Sequence, residues 1–223
     1  MMVNDLAKVM PNETCCYLSR HLDNGQAKPI LVPRKTISWE SNAVFNPGVV
    51  RDKNIFRMLY RTYSHELIKK SPKLNSPGFN LTHQASYIGY AESQEGIHFK
   101  RRKQPFISPD QDYDRYGCED PRITQINDTF YITYTAIDAP IENSFSQPKT
   151  RIALATTKDF ITVKKHGIID PPVNSKASAF FPEKVNGGKF GLALTILADS
   201  TLSHVAIRYL DHKCCFSRDR QTT

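Results

Sequence analysis

Three stretches of the chain share one grammar: FNPGVVRDKNIFRMLYRTY from Phe45, EDPRITQINDTFYITYTAI from Glu119 and FFPEKVNGGKFGLALTILA from Phe180. Each carries a proline, a short apolar run, a polar turn (Asp52-Lys53-Asn54, Asn127-Asp128, Asn186-Gly187-Gly188) and a second apolar run. Apolar runs on either side of Asn, Asp and Gly read as a β-hairpin. The first two hairpins are followed by a further matched pair, SYIGYAESQEGIHFKRRKQPFI and TRIALATTKDFITVKKHGII, and the third by SHVAIRYLD. Pro47, Pro121 and Pro182 lie 74 and 61 residues apart, the length of a four-stranded sheet with its connections. Sheets repeated at such a period predict an all-β chain built as a β-propeller, whose blades stack around an axis because no blade can bury both faces alone. An ordinary antiparallel sandwich is the alternative. Propellers have ~4–8 blades, and about three are present here. The expected organisation is therefore one partial propeller domain over residues 1–223, with a lead-in at 1–27 and an unpatterned tail at 211–223.

The same frame singles out the residues before the prolines, Asn46, Asp120 and Phe181. Proline suits the first position of a strand because it has no N–H to give to the ladder. The first strand of each propeller blade lines the central channel, so Asn46 and Asp120 are expected to project toward one axial pocket. Read alone, Glu119-Asp120 before Pro121 would be a solvated turn pair, and Asn46 a turn former. Arg61 would be a surface arginine on an edge strand.

Composition narrows the partners less than the repeat narrows the fold. At 39% hydrophobic the chain can bury a core, and Lys and Arg exceed Asp and Glu by 30 to 22, a net charge of +8. Such an excess suits nucleic acid, an anionic membrane surface or a small anionic substrate such as phosphate. No stretch approaches the ~18 apolar residues of a membrane span, and the first thirty residues hold no signal-peptide core. A cytoplasmic protein without a membrane partner is expected. Five cysteines (Cys15, Cys16, Cys118, Cys214, Cys215) include two adjacent pairs, which fits neither a disulfide framework nor a spaced zinc site, so no metal is expected. The sequons at Asn12, Asn80 and Asn127 are then not expected to be glycosylated.

Five motifs, in order, resemble glycoside hydrolase family 130: VFNPG at 44–48, MLYR at 58–61, GCEDPRI at 117–123, RIALATTKDF at 151–160 and NSKASAFFPEKVNG at 174–187. The resemblance covers roughly residues 28–207. It implies a five-bladed β-propeller, here C-terminally incomplete, and an inverting enzyme that cleaves a β-mannosidic bond. Most members use inorganic phosphate and release α-mannose 1-phosphate. The resemblance places the general acid at Asp120, sugar contacts at Asn46 and Arg61, and phosphate-binding cations at Arg151 and Lys176, with Lys184 a further candidate. Read as solvated side chains, those cations would have no such role. Glu119 is left as a structural hydrogen-bonder. The implied partners are a short manno-oligosaccharide and phosphate as co-substrate, with no resident cofactor and no nucleic acid. A homo-oligomer is compatible with this reading.

The chemistry of the residues agrees with that allocation. An inverting hydrolase needs a general acid and a general base set wide enough apart to admit a water. Phosphate at neutral pH is already an anionic nucleophile, so a phosphorylase needs one acid and a cluster of cations. One carboxylate motif and several basic residues at later strand starts suit phosphorolysis, and thus a glycosyltransferase-type glycoside phosphorylase. A departure from the family pattern weighs the other way: KFGLALTILADS carries no Lys or Arg between Lys189 and Arg208. The alternatives are a β-mannoside hydrolase of the same family, or an inactive truncated propeller serving as a binding module or remnant. KRRK at 100–103 is expected to be a solvated outer edge whose charge discourages edge pairing. The segment SHELIKKSPKLNSPGFNLTHQ from Ser64 is expected to be a long loop.

Overall fold

The computed structural model describes residues 22–23, 26–27, 29–67, 84–138, 150–169, 174–185, 187–197 and 203–210. Two compact units result, residues 1–30 and residues 31–223. In the first, β1 (Leu22–Asp23) pairs antiparallel with β2 (Gln26–Ala27). The second carries the repeat.

Three antiparallel meanders follow one another along this unit. The first holds β3 (Ala43–Asp52), β4 (Ile55–Leu67), β5 (Gln84–Ser93) and the short β6 (Lys100–Arg101). The second holds β7 (Gly117–Ile126), β8 (Thr129–Ile137), β9 (Thr150–Thr157) and β10 (Lys164–Ile168). The third holds β11 (Ser175–Val185), β12 (Lys189–Leu197) and β13 (Ser203–Leu210). A single parallel bridge, Ser86 to Gly117, joins the first two. The opening strand β7 of the second meander packs against both β3 and β11, so the three opening strands lie side by side as propeller blades require. No described helix is long and apolar enough to cross a membrane.

Burial explains why β8 and β9 read as nearly continuous apolar runs. Ile132, Tyr134, Ala153 and Ala155 face the first blade and join Leu59, Ile88, Tyr90, Phe106 and Phe160 in one core. Their neighbours Tyr131, Ile152 and Leu154 point the opposite way and meet Phe180, Phe190, Leu192 and Leu194 of the third blade. The second blade is thus covered on both faces, and alternate side chains divide between two cores. A third cluster of Trp39, Met58, Tyr60 and Ala91 covers the other side of the first blade. On β13, Val205, Ile207 and Tyr209 stand exposed.

The hairpin turns fall where the sequence puts them. Lys53, Asn127, Gly187 and Gly188 take positive φ there, the left-handed geometry of tight hairpin turns. Four expectations need correction. The prolines do not start their strands: Pro47 and Pro121 sit inside β3 and β7, in bulges between Phe45 and Gly48 and between Glu119 and Arg122. A bulge residue is excused from the ladder, which is the other place in a sheet that proline is tolerated. In the third blade the matching bulge lies between Lys176 and Ala179, so the counterpart of Pro47 and Pro121 is Ser178 and not Pro182. Pro182 falls in a second bulge, between Phe180 and Lys184.

The segment from Ser64 is not loop throughout, because β4 continues to Leu67 and pairs with Gln84. The remainder of it, residues 68–83, lies outside the described residues. Nor is KRRK a solvated edge along its length. Arg101 pairs with the fully buried Glu40, which Arg34 and the Tyr60 hydroxyl also contact, and Arg102 lies 4.2 Å over the Tyr90 ring. A carboxylate without solvent has to be neutralised by neighbouring cations and donors. The tail at 211–223, the sequons at Asn12 and Asn80, and all cysteines but Cys118 also lie outside the described residues.

Candidate active site

The three opening-strand bulges impose one backbone device. Asn46 (φ 46), Asp120 (φ 51) and Ala177 (φ 45) occupy the same bulge position and all adopt left-handed conformation. Asn and Asp tolerate this region better than other side-chain-bearing residues. The turn it creates swings their side chains out of the pleat, and Gly48 lets the two strands approach closely, since a Cβ there would lie 2.5 Å from the Pro121 carbonyl oxygen. As a result Asn46 Nδ2 donates to Asp120 Oδ1 at 2.7 Å.

Arg61 completes the arrangement from β4, where it pairs across the ladder with Phe45. Its Nη1 donates to Asp120 Oδ1 at 3.1 Å and its Nη2 to Glu119 Oε1 at 2.5 Å. The guanidinium is held by the rings of Phe45 and Tyr63, each centroid 4.7 Å away, and by a hydrogen bond to the Tyr63 hydroxyl. Glu119 is buried and also accepts from Ser86 Oγ at 3.3 Å and from the Tyr63 hydroxyl at 3.4 Å. Burial raises the Glu119 carboxyl above its usual range, while Arg61 and Lys176 pull it back down. Burial and the Glu119 charge likewise raise the Tyr63 phenol. Of the two adjacent carboxylates, Asp120 is the more open, with 13% of its side chain exposed against 4% for Glu119.

The cations divide. Lys176 occupies on β11 the bulge position that Glu119 holds on β7, and its ammonium acts on the Glu119 carboxyl. Arg151, at the start of β9, donates from Nη2 to Asp138 at 2.7 Å. Among the described residues, Arg151 Nε and Asp138 Oδ1 are buried without a hydrogen-bond partner, as are Arg61 Nε and the hydroxyls of Thr135, Thr150 and Ser178. Lys184 is exposed, stacked 5.1 Å from the Phe190 ring beside the β11–β12 turn. Seven residues of β11, with two bulges among them, separate it from Lys176. The structure therefore brings together Asn46, Arg61, Asp120 and, through Glu119, Lys176, and it sets Lys184 apart from them.

Sequence reasoning passed over Tyr63, Phe45, Ser86 and Asp138. Tyr63 could have been found, because a residue two along from Arg61 shares its face of the strand. Asp138 could not, since it lies beyond the end of β8 and meets Arg151 only through the β8–β9 pairing. Among the described residues, no group of three or more His, Cys, Asp or Glu side chains could hold a metal ion.

Stacked antiparallel blades, with a carboxylate pair and an arginine gathered where their opening strands meet, define part of a β-propeller. The chain belongs to glycoside hydrolase family 130: residues 32–197 match the family model described as beta-1,4-mannooligosaccharide phosphorylase. A 1,2-beta-oligomannan phosphorylase of Thermoanaerobacter sp. strain X514 is 33% identical over 160 residues, covering 72% of this chain and 49% of that protein. The solved beta-1,2-mannobiose phosphorylase of Listeria innocua, in complex with beta-1,2-mannobiose, aligns with TM-score 0.59 and 26% identity over 75% of this chain and 55% of its own. A solved structure reported among family members that are glycoside hydrolases targeting beta-1,2 mannosidic linkages in Candida mannan aligns with TM-score 0.57 and 25% identity. It covers 82% of this chain and 58% of its own. The chain spans about half the length of the curated relatives it matches.

Proposed function

We propose that this chain carries the acid and sugar-binding half of a β-mannoside phosphorylase site, acting on a short manno-oligosaccharide with phosphate as co-substrate and no resident cofactor. The observation that carries this reading is the Asn46–Asp120–Arg61 constellation: one carboxyl, partly open to solvent, held by an amide and a guanidinium from another blade. In this reading Asp120 gives its proton to the departing glycosidic oxygen. A phosphate oxygen attacks the anomeric carbon from the opposite face, so the bond to the leaving sugar breaks as the bond to phosphate forms, and the product is α-mannose 1-phosphate. Asn46 and Arg61 orient the acid and the sugar. Lys176 and Arg151 are the cations offered to phosphate, Arg151 with its Nε unspent and its orientation fixed by Asp138. Lys184, at the far end of β11, is the weakest member of that set.

Hydrolysis is the second reading, favoured by the Arg151–Asp138 ion pair. A guanidinium already neutralised by a carboxylate has less to offer a phosphate dianion. A non-catalytic sugar-binding module is the third. Incubation with β-1,2- and β-1,4-mannobiose, with and without phosphate, separates them. Mannose 1-phosphate formed only with phosphate supports phosphorolysis, free mannose without phosphate supports hydrolysis, and binding without turnover supports the module.

A further inference from the structure

Of the buried side-chain atoms without a hydrogen-bond partner among the described residues, three are hydroxyls at one boundary: Thr135 on β8, Thr150 on β9 and Ser178 on β11. Their exposures are 1%, 0% and 3%. Thr135 pairs with Ile152, which packs toward the third blade, and Thr150, two residues before Ile152, shares that face of β9. Thr133, two residues before Thr135, donates from Oγ1 to the Ser178 carbonyl at 2.6 Å, and the Thr150 N–H donates to Asn174 Oδ1 at 3.2 Å. The layer between the second and third blades, apolar along most of its length, thus ends in hydroxyls beside Glu119, the other ladder partner of Thr135. A hydroxyl shut away from water without a partner costs stability, so a group of them calls for a ligand. The repeat points to its charge. The bulge triplets are Phe45-Asn46-Pro47, Glu119-Asp120-Pro121 and Lys176-Ala177-Ser178, so the third copy offers an ammonium and a hydroxyl where the second offers two carboxyls and a proline. Hydroxyls donate to anionic oxygens, and an adjacent cation strengthens the binding of the anion. We propose that Ser178, Thr135 and Thr150 are hydroxyl donors to the oxygens of phosphate, with Lys176 supplying the countercharge. β11 packs against β7, so the anion lies next to the strand that carries Asp120. The inference deepens the phosphorolysis reading and rests on it for the choice of anion.

The test is calorimetric titration of inorganic phosphate into the chain and into Thr135→Val, Thr150→Val and Ser178→Ala, which remove one hydroxyl each at little change of shape. Each variant is expected to bind phosphate about ten-fold or more weakly, the loss that follows from removing a hydrogen bond to a charged group. Binding of β-1,2-mannobiose in phosphate-free buffer is expected to stay the same. Since these hydroxyls have no protein partner to lose, the melting temperature without phosphate is expected to hold or rise. No phosphate binding by the unsubstituted chain overturns the proposal, as does unchanged phosphate affinity in any folded variant. Weaker phosphate binding accompanied by a lower melting temperature in phosphate-free buffer also overturns it, because it assigns the hydroxyls to the fold. If one variant fails to fold, the other two decide. Failure of the phosphorolysis reading looks different: phosphate bound with this dependence on the three hydroxyls, but no mannose 1-phosphate formed from mannobiose, removes that reading and leaves the anion site standing.

Discussion

Asn46 and Asp120, 74 residues apart in the chain, meet through a 2.7 Å hydrogen bond, each in left-handed backbone and each followed by a proline. The bond exists because two blades repeat the same bulge on adjacent opening strands. It makes one site out of two copies of one local structure.

Asp120→Asn is expected to abolish cleavage and leave the fold intact. Asn keeps the left-handed backbone and an oxygen that accepts from Asn46 and Arg61, but it has no proton to give. Loss of a general acid costs ~10²–10⁴ in rate. Turnover near that of the unsubstituted protein, measured on mannobiose, would refute the assignment.

If Lys176 and Arg151 hold phosphate, Lys176→Ala and Arg151→Ala should each raise the phosphate concentration needed for half-maximal rate. Mannoside binding measured without phosphate should change little. Charge-assisted hydrogen bonds contribute about 1.5–3 kcal/mol each, roughly a ten- to hundred-fold change. Equal losses in both measurements would assign these residues to the sugar or the fold.

Ala177 sits in the left-handed region without the polar side chain that eases it in Asn46 and Asp120. Left-handed backbone costs an ordinary residue about 1–2 kcal/mol, whereas glycine adopts it freely. Ala177→Gly is therefore expected to raise the midpoint of chemical denaturation. An Ala→Gly change at an ordinary strand position would lower it, and a lowered midpoint here would count against the bulge.

Lys165 ties β10 to the loop before β7, donating to Asp114 at 2.7 Å, Asp110 at 2.6 Å and the Ser108 carbonyl at 2.6 Å. Asp114 is fully buried and also accepts from the Tyr134 hydroxyl at 2.9 Å. Burial acts to lower the Lys165 pKa, but the neighbouring Cys118, Asp110 and Asp114 outweigh it and the net direction is up. A raised lysine contributes stability that is complete below its unfolded value near 10.4 and disappears as pH rises through the folded value. Lys165→Met, which strands the Asp114 charge, is expected to cost about 3–5 kcal/mol at pH 7. The difference from the unsubstituted chain should shrink above about pH 10.4. Denaturant titrations at pH 7 and pH 11 check both.

Val205, Ile207 and Tyr209 are 74%, 51% and 49% exposed along one strand, a contiguous apolar stripe of the kind that finds a partner or aggregates. The 223-residue chain is expected to bind a hydrophobic dye and to self-associate. Replacing all three with Lys should reduce both, as read by dye fluorescence and light scattering. A monodisperse unsubstituted chain that binds no dye would contradict this.

Hairpin turns, apolar alternation and blade order were legible in the chain because each is written in neighbours: Asn127 demands a left-handed turn, and the apolar run of β8 demands two buried faces. The third bulge was not, because Ala177-Ser178 bears no proline and no amide or acid, and the eye goes to Pro182 instead. Its left-handed backbone falls in a bulge of β11, a strand that packs against β7, and no local residue preference announces it. The same holds for KRRK, where composition suggested solvent and the buried Glu40 claimed Arg101.

By itself the sequence determined the repeat, and with it that Asn46 and Asp120 would occupy equivalent places at the site, since equivalent places follow from equivalent local patterns. Only the tertiary structure decided the charge relations there: Arg61 shared between Glu119 and Asp120, Arg151 answered by Asp138, and Lys184 carried to the other end of its strand. Those depend on distances between atoms remote in the chain, and electrostatic interaction falls with distance and changes with burial, neither of which a one-dimensional order of residues contains.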